Sequence, residues 1–362
     1  MEHETPPVIT VYFDISSLDP KKVTGVGVYM LQLIENFKTN SVVKLVPVLK
    51  LSRYKKKKAL EDFLKLKVTL LWPWTGAFEK NALYHGPDFK VLMGPRLPRL
   101  VTIHDMVVFE RKYNAPEFYK RGIKDLTKVL QSNLDGVIVN SRFTAREVLK
   151  HFPDLQNKTH VTLLGCDRHY PTPERLSESL GEYVLFLGTL EKRKNVLGAI
   201  KAFEILCTQG YGGNLVLAGA WGTGSEEIKL ALEKSPAQKQ IKHLSYVPNN
   251  QVEGLFRNAK AFVFPSWYEG FGIPVLEAMS LGCPVVTSQG GVLEEITGEA
   301  ALHAKPDSPD EIAKALASIL KSDSLREDLI KKGHHQAAQF TWKRCAEETL
   351  QVYKNILNQA QY

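Results

Sequence analysis

The chain has 362 residues, more than a single hydrophobic core usually serves, so two domains are the natural expectation. Its 44% hydrophobic and 24% charged residues are ordinary for a globular protein, so disorder is not the default, and no stretch approaches the ~20 apolar residues that a membrane-spanning helix needs. The formal charge of +8 points to an acidic partner, without choosing among nucleic acid, an anionic membrane and phosphorylated small molecules.

The opening residues, MEHETPPVITVYF, lack the basic-then-apolar order of a signal peptide. Strands are expected at Val8–Ile15 and Val43–Lys50. The stretch LSRYKKKKALEDFLKLKVTLLWPW follows, with Arg53, Lys55, Lys56, Lys57, Lys58, Lys65 and Lys67 around an apolar helical face of Ala59, Leu60, Phe63 and Leu64. Trp72 and Trp74 close it. Such a basic amphipathic stretch can lie on an anionic membrane, and the alternative is a solvated charged face. Further strands are expected at Leu100–Asp105, Gly136–Asn140 and His160–Leu164, then at Tyr183–Gly188, Asn214–Gly219, Ala261–Ser266 and Pro284–Ser288. Several are apolar throughout, as strands covered on both faces are. Val196, Ile200, Phe203 and Cys207 form one helical stripe, and Ile312, Leu316, Ile319 and Leu320 another, the latter preceded by Ser308 and Pro309 as N-cap and first helical residue. Strand–helix alternation of this kind means two doubly wound parallel sheets, with a boundary in the polar, proline-containing segment Arg168–Tyr183 and ligands bound at the carboxyl ends of the strands, in a cleft. The four cysteines, Cys166, Cys207, Cys283 and Cys345, have neither CxxC nor metal-ligand spacing, so buried thiols in a reducing, cytoplasmic compartment are expected.

The segment AFVFPSWYEGFGIPVLEAMSLG reads as strand, loop and helix, the helix starting near Ile273 or Pro274, running to Ser280 and ended by Gly282. The amides of Phe271, Gly272 and Ile273 then stand at a positive helix terminus, where an anion such as phosphate binds. Glu277 is expected in the first helical turn and Glu269 in the loop ahead. Carboxylates accept hydrogen bonds from vicinal sugar hydroxyls, so phosphate between and sugar on either side is one reading. Solvated glutamates beside a helix start are the other.

This stretch is similar to the E-x7-E signature of the retaining glycosyltransferases of family 4, which have the GT-B fold. YVLFLGTLEKRKNVLGAIKAF, NLVLAGAWG, LSYVPNNQVEGLFRNAKAFVFPS and TSQGGVLEEITGEAALHAKPDSPDEIAKAL follow the family's order, and TGVGVYMLQLIENF, ALYHGPDF, TIHD and GVIVNSRFTAREVLKHF resemble its N-terminal half. The resemblance implies two Rossmann-like domains: residues 1–168 with 341–362 on the acceptor side, where the last helix crosses back, and residues 169–340 holding the nucleotide sugar. It implies that Arg193 and Lys194 hold the donor diphosphate, Glu277 the ribose, and Glu269 the donor sugar at the reacting centre. Gly188, Thr189, Gly270, Phe271, Gly272 and Ile273 would line the phosphates and sugar, with Gly25 and Gly27 as a glycine loop ahead of a helix. His104 would contact the sugar, and Tyr246, Val247 and Pro248 the base. Some relatives carry arginine where Thr189 stands, which leaves Arg193 and Lys194 as the cations assigned to the phosphates.

By the same resemblance, a hexose passes from a nucleoside diphosphate sugar to a hydroxyl of a glycan or lipid-linked acceptor, with retention, no cofactor and no metal. The chain has no DxD motif that would hold one. GDP-mannose is the expected donor, since TIHD with GTLEKRKN looks most like the mannosyltransferase branch. UDP-hexoses and a non-catalytic nucleotide-sugar binder are the alternatives. A dinucleotide enzyme would need a full G-x-G-x-x-G after the first strand, and a nucleic-acid binder has only the net charge behind it. An epimerase or a phosphorylase on the same fold is a nearer rival, the latter wanting a lysine-bound cofactor in a much longer chain. Peripheral contact with the inner face of an anionic membrane through Arg53–Lys67 completes the expectations.

Overall fold

A computed structural model describes residues 8–71, 78–89, 97–110, 116–167, 180–245 and 247–359. The chain divides into two compact units, Met1–Gly165 with Trp342–Tyr362, and Cys166–Thr341.

Unit 1 carries strands β1 (Ile9–Asp14), β2 (Val43–Lys50), β3 (Thr69–Leu71), β4 (Ala82–Gly86), β5 (Arg99–Ile103), β6 (Gly136–Val139) and β7 (Thr159–Val161). They form one sheet in the order β3-β2-β1-β4-β5-β6-β7, and every pairing is parallel. Its helices are α1 (Gly25–Lys38), α2 (Lys57–Leu64), α3 (Pro116–Leu130), α4 (Arg142–His151) and, from the far end of the chain, α12 (Trp342–Gln359). Unit 2 carries β8 (Tyr183–Leu187), β9 (Asn214–Ala218), β10 (Ile241–Leu244), β11 (Ala261–Phe264), β12 (Val285–Ser288) and β13 (Leu302–Ala304), again wholly parallel, in the order β10-β9-β8-β11-β12-β13. Between them run α5 (Val196–Thr208), α6 (Ser225–Lys234), α7 (Asn249–Asn258), α8 (Ile273–Ser280), α9 (Gly291–Thr297), α10 (Pro309–Lys321) and α11 (Asp323–Ala337).

The central strands are apolar on both faces because helices cover both. Tyr183, Val184, Leu185 and Phe186 of β8 are all fully buried, and Val184 sits between Leu215 of β9 and Ala261 of β11. The α5 stripe buries Val196, Ile200 and Phe203, with Cys207 half-buried, and α10 buries Ile312, Leu316 and Ile319. Ser308 caps α10, its hydroxyl accepting from the Glu311 amide at 3.2 Å, and Pro309 is the first helical residue. All four cysteines are free thiols, three buried and Cys207 half-buried. Among the described residues no helix is long and apolar enough to cross a membrane.

Three local expectations are corrected. Gly25 and Gly27 stand in the first turn of α1 rather than in a loop before it, because Thr24 is the N-cap, its hydroxyl accepting from the Gly27 amide at 3.3 Å. The apolar face drawn through Ala59, Leu60, Phe63 and Leu64 divides: Leu60 and Leu64 enter the core, whereas Ala59 and Phe63 face outward. Glu277 is the fifth residue of α8, beyond the first turn, since the helix begins at Ile273. Trp72 and Trp74, and most of the Arg168–Tyr183 segment, lie outside the described residues.

Candidate active site

In both sheets the strand order reverses beside the first strand, between β1 and β4 and between β8 and β11. Ligands of doubly wound sheets bind at the carboxyl ends of the strands at such switch points. In unit 2 the loops leaving this point are residues 188–195, after β8, and 265–272, after β11.

The first loop opens with Gly188 (φ 145°), which packs against Gly219 (φ 149°) after β9, where a Cβ would stand only 2.0 Å from the Gly188 carbonyl oxygen. Exposed Thr189 follows, and then a single 3-10 turn, Lys192–Lys194. Asn195 ends that turn in the left-handed conformation (φ 54°) and caps α5, its Oδ1 accepting from the Gly198 amide at 3.2 Å. Its Nδ2 donates to the carbonyls of Pro265 (3.0 Å) and Pro306 (2.6 Å). One side chain therefore ties the basic turn to the loop after β11 and to the loop after β13.

The second loop delivers Glu269 to the two cations. Arg193 Nη1 stands 3.0 Å from Glu269 Oε2 and donates to the Tyr268 carbonyl at 2.6 Å, while Nη2 reaches Glu191 Oε1 at 2.7 Å. Lys194 Nζ is 3.9 Å from Glu269 Oε1 and 4.9 Å from the centre of the Phe264 ring. Ser266 Oγ donates to Glu269 Oε1 at 3.0 Å. Burial pushes the Glu269 carboxyl up, but the charges of Lys194 and Arg193 and the hydrogen bonds from Arg193 and Ser266 outweigh it, holding the group below the usual carboxylate range. The result is an ionised, largely buried carboxylate gripped from two sides.

Beyond Glu269 and Gly270, Phe271 buries its ring against Phe340 at 5.9 Å, leaving only its backbone for the loop's outer side. Gly272 (φ 108°) is the N-cap of α8, with no side chain capping the helix, so the amide end of α8 is available to an anion. Pro274 follows Ile273 in the first turn, where its missing N–H costs nothing. Glu277, on the same helix, is buried. Among the described residues no group of three or more His, Cys, Asp or Glu side chains forms a metal-ligating cluster.

Arg193, Lys194, Gly188, Thr189, Glu269, Gly270, Phe271, Gly272, Ile273 and Glu277 thus gather on the loops and helix at the unit 2 switch point. Val247 and Pro248 lie after β10 at the same end of the sheet, with Pro248 as N-cap of α7, and Tyr246 lies outside the described residues. His104, Gly25 and Gly27 belong to unit 1. His104 follows β5, and its Nε2 donates to the Pro87 carbonyl at 2.8 Å. The Tyr29 ring meets it edge-on at 5.0 Å. Glu191, Asn195 and Ser266 were not assigned roles from sequence. The signal for Asn195 was present, since an asparagine immediately before an apolar helical run reads as an N-cap.

Two parallel-sheet Rossmann-like domains of this winding define the GT-B fold. The glycosyl transferases group 1 family matches residues 173–336. The O-antigen chain mannosyltransferase B of Escherichia coli is 33% identical over 298 residues, covering 78% of this chain and 76% of that protein. Among solved structures, sucrose-phosphate synthase from Thermosynechococcus elongatus superposes with a TM-score of 0.73 at 18% identity, covering 97% of this chain and 99% of that one. Anabaena HepE in complex with UDP-glucose gives 0.71 at 15% identity, covering 98% and 99%. The chain belongs to the group 1 glycosyltransferases.

Proposed function

We propose that the chain transfers mannose from GDP-mannose to a hydroxyl of a glycan or lipid-linked acceptor, with retention at the anomeric carbon and without a metal ion. The observation that carries this reading is the grip of Arg193 and Lys194 on Glu269 beside the open amide end of α8. Two fixed cations and a helix terminus are what a departing diphosphate needs in place of a metal. A neighbouring ionised carboxylate suits the hydroxyls and developing positive charge of the donor sugar. The mannosyl donor is supported by the mannosyltransferase that is 33% identical to this chain. In the reaction, the bond from the anomeric carbon to the β-phosphate oxygen breaks, and the acceptor oxygen bonds to that carbon from the same face. The acceptor proton passes to the departing phosphate oxygen. The protein orients the reactants and balances charge, so no general base is assigned.

The test is transfer from a panel of GDP- and UDP-sugars in the presence of a chelator, with wild type, Glu269→Ala and Lys194→Ala. The expected result is turnover from GDP-mannose in wild type and a loss of about a hundredfold or more in each variant, with circular dichroism unchanged. Turnover from a UDP-hexose alone would replace the donor, abolition by the chelator would replace the metal-free route, and nucleotide binding without turnover would make the chain a binder. Near wild-type transfer in either variant would remove that residue from the site.

A further inference from the structure

The charge excess of this protein is concentrated. Residues 51–67 hold seven basic and two acidic side chains, a net +5 in a chain whose whole excess is +8. They follow β2 as a 3-10 turn, Leu51–Lys56, running into α2. Two of the lysines are engaged, Lys56 with Asp19 at 3.4 Å and Lys57 with Glu61 at 3.8 Å. Arg53, Lys55, Lys58, Lys65 and Lys67 have no ion-pair partner among the described residues, and Arg53, Lys55, Lys58, Lys65 and Lys67 are all exposed.

A merely solvated face would show charges and little else. Here three large apolar side chains stand out among them: Leu51 is 39% exposed, Tyr54 55% and Phe63 41%. Leu60 and Leu64 turn the other way, into the core, and anchor α2 by its inner face. Its outer side is therefore mixed, cations interleaved with an aromatic pair and a leucine. That composition matches the boundary of an anionic bilayer, where lysine and arginine meet headgroup phosphates and aromatic rings enter between them. Nucleic acid in solution would reward the charges, but it would not require Leu51, Tyr54 and Phe63 to be exposed together.

The patch is also wired to the carboxyl end of the unit 1 sheet. The Lys50 amide donates to Ser16 Oγ at 3.0 Å, and the Lys56–Asp19 pair reaches the loop between β1 and α1. Whatever seats this patch sits beside the ligand end of that sheet.

We propose that the outer face of residues 51–67 docks on an anionic lipid surface, with Arg53, Lys55 and Lys58 on the headgroups and Tyr54 and Phe63 inserted between them. Docking is independent of which donor the enzyme uses. The experiment is co-sedimentation of the full chain with vesicles of phosphatidylcholine, alone or with phosphatidylglycerol, at low and high salt, with heparin as a dissolved polyanion for comparison. Wild type is expected on the phosphatidylglycerol vesicles at low salt and not on phosphatidylcholine alone. Tyr54→Ser/Phe63→Ser, with charge unchanged, should weaken vesicle binding at least about tenfold while leaving heparin binding intact, and Lys55→Glu/Lys58→Glu should weaken both. All four side chains are exposed, so thermal unfolding should match wild type. Absence of wild type from phosphatidylglycerol vesicles, or binding unaffected by the Tyr54/Phe63 pair, would overturn the proposal, the second by reducing the patch to a general polyanion face.

Discussion

Asn195 occupies a left-handed conformation (φ 54°) that a glycine adopts more readily, and its side chain explains why glycine is not there. Three contacts, to the Gly198 amide and to the Pro265 and Pro306 carbonyls, depend on the one amide group. Asn195→Ala should lose the helix cap, leave two carbonyls without their donor and add left-handed strain. Together these amount to about 2–4 kcal/mol, read as a drop in urea midpoint. Asn195→Gly, which relieves the strain alone, should fall between the two. Arg193 has a comparable role: with Glu191, Glu269 and the Tyr268 carbonyl all on its guanidinium, it is a clamp on the Glu269 loop as well as a cation beside it. The residues named from the sequence all stand inside a quotable motif, Arg193, Lys194, Glu269 and Glu277 among them. Glu191 and Ser266, which complete the electrostatics, lie two residues from Arg193 and three from Glu269, but a glutamate and a serine at such spacings are common in loops, and only the fold shows that each turns toward its partner.

At the scale of elements, α8 depends on its cap. Gly272 has φ 108°, and a Cβ there would stand 2.5 Å from Leu293 Cδ2 of α9. Gly272→Ala should cost about 2–4 kcal/mol, the sum of backbone strain and overpacking. Adding Leu293→Ala should return part of it, and a double-mutant cycle would show that coupling. If the second change returned nothing, the cost would lie in the backbone alone. Most strands were legible because the buried central strands are continuous apolar runs. The four not anticipated each hide that signal for a physical reason. β3 and β13 have three residues apiece, too few to show any period. β10, IKHL, is an edge strand that is only half-buried along its length, and it tolerates lysine and histidine. β4, ALYHG, is fully buried, but His85 breaks its apolar run.

His85 becomes intelligible only on the scale of the whole molecule. Its Nδ1 meets Tyr353 Oη at 2.7 Å and its Nε2 meets Thr102 Oγ1 at 2.8 Å, so a strand near the start of the chain is bonded to α12 near its end. Burial, with a smaller contribution from His104, brings its pKa down to about 3 from the ordinary 6.5. The folded protein holds this ring neutral while the unfolded chain protonates it more easily. Stability from His85 is thus complete above about pH 6.5 and drains as pH falls toward 3, by about 1.4 kcal/mol per pH unit. Burial lowers His160 and His303 in the same sense. Urea midpoints at pH 7 and pH 5 should therefore differ, and His85→Gln should flatten much of that slope whatever it does to the absolute stability. An unchanged slope would mean that the ring is charged when folded. The His85–Tyr353 bond has one further consequence, for synthesis on the ribosome. Unit 2 is encoded without interruption, whereas unit 1 is begun first and completed last, by α12. The earlier-made half can gain the His85–Tyr353 contact only after the whole of unit 2 has been synthesised. The order in which the segments of the two domains are all made is the reverse of the order in which translation starts them.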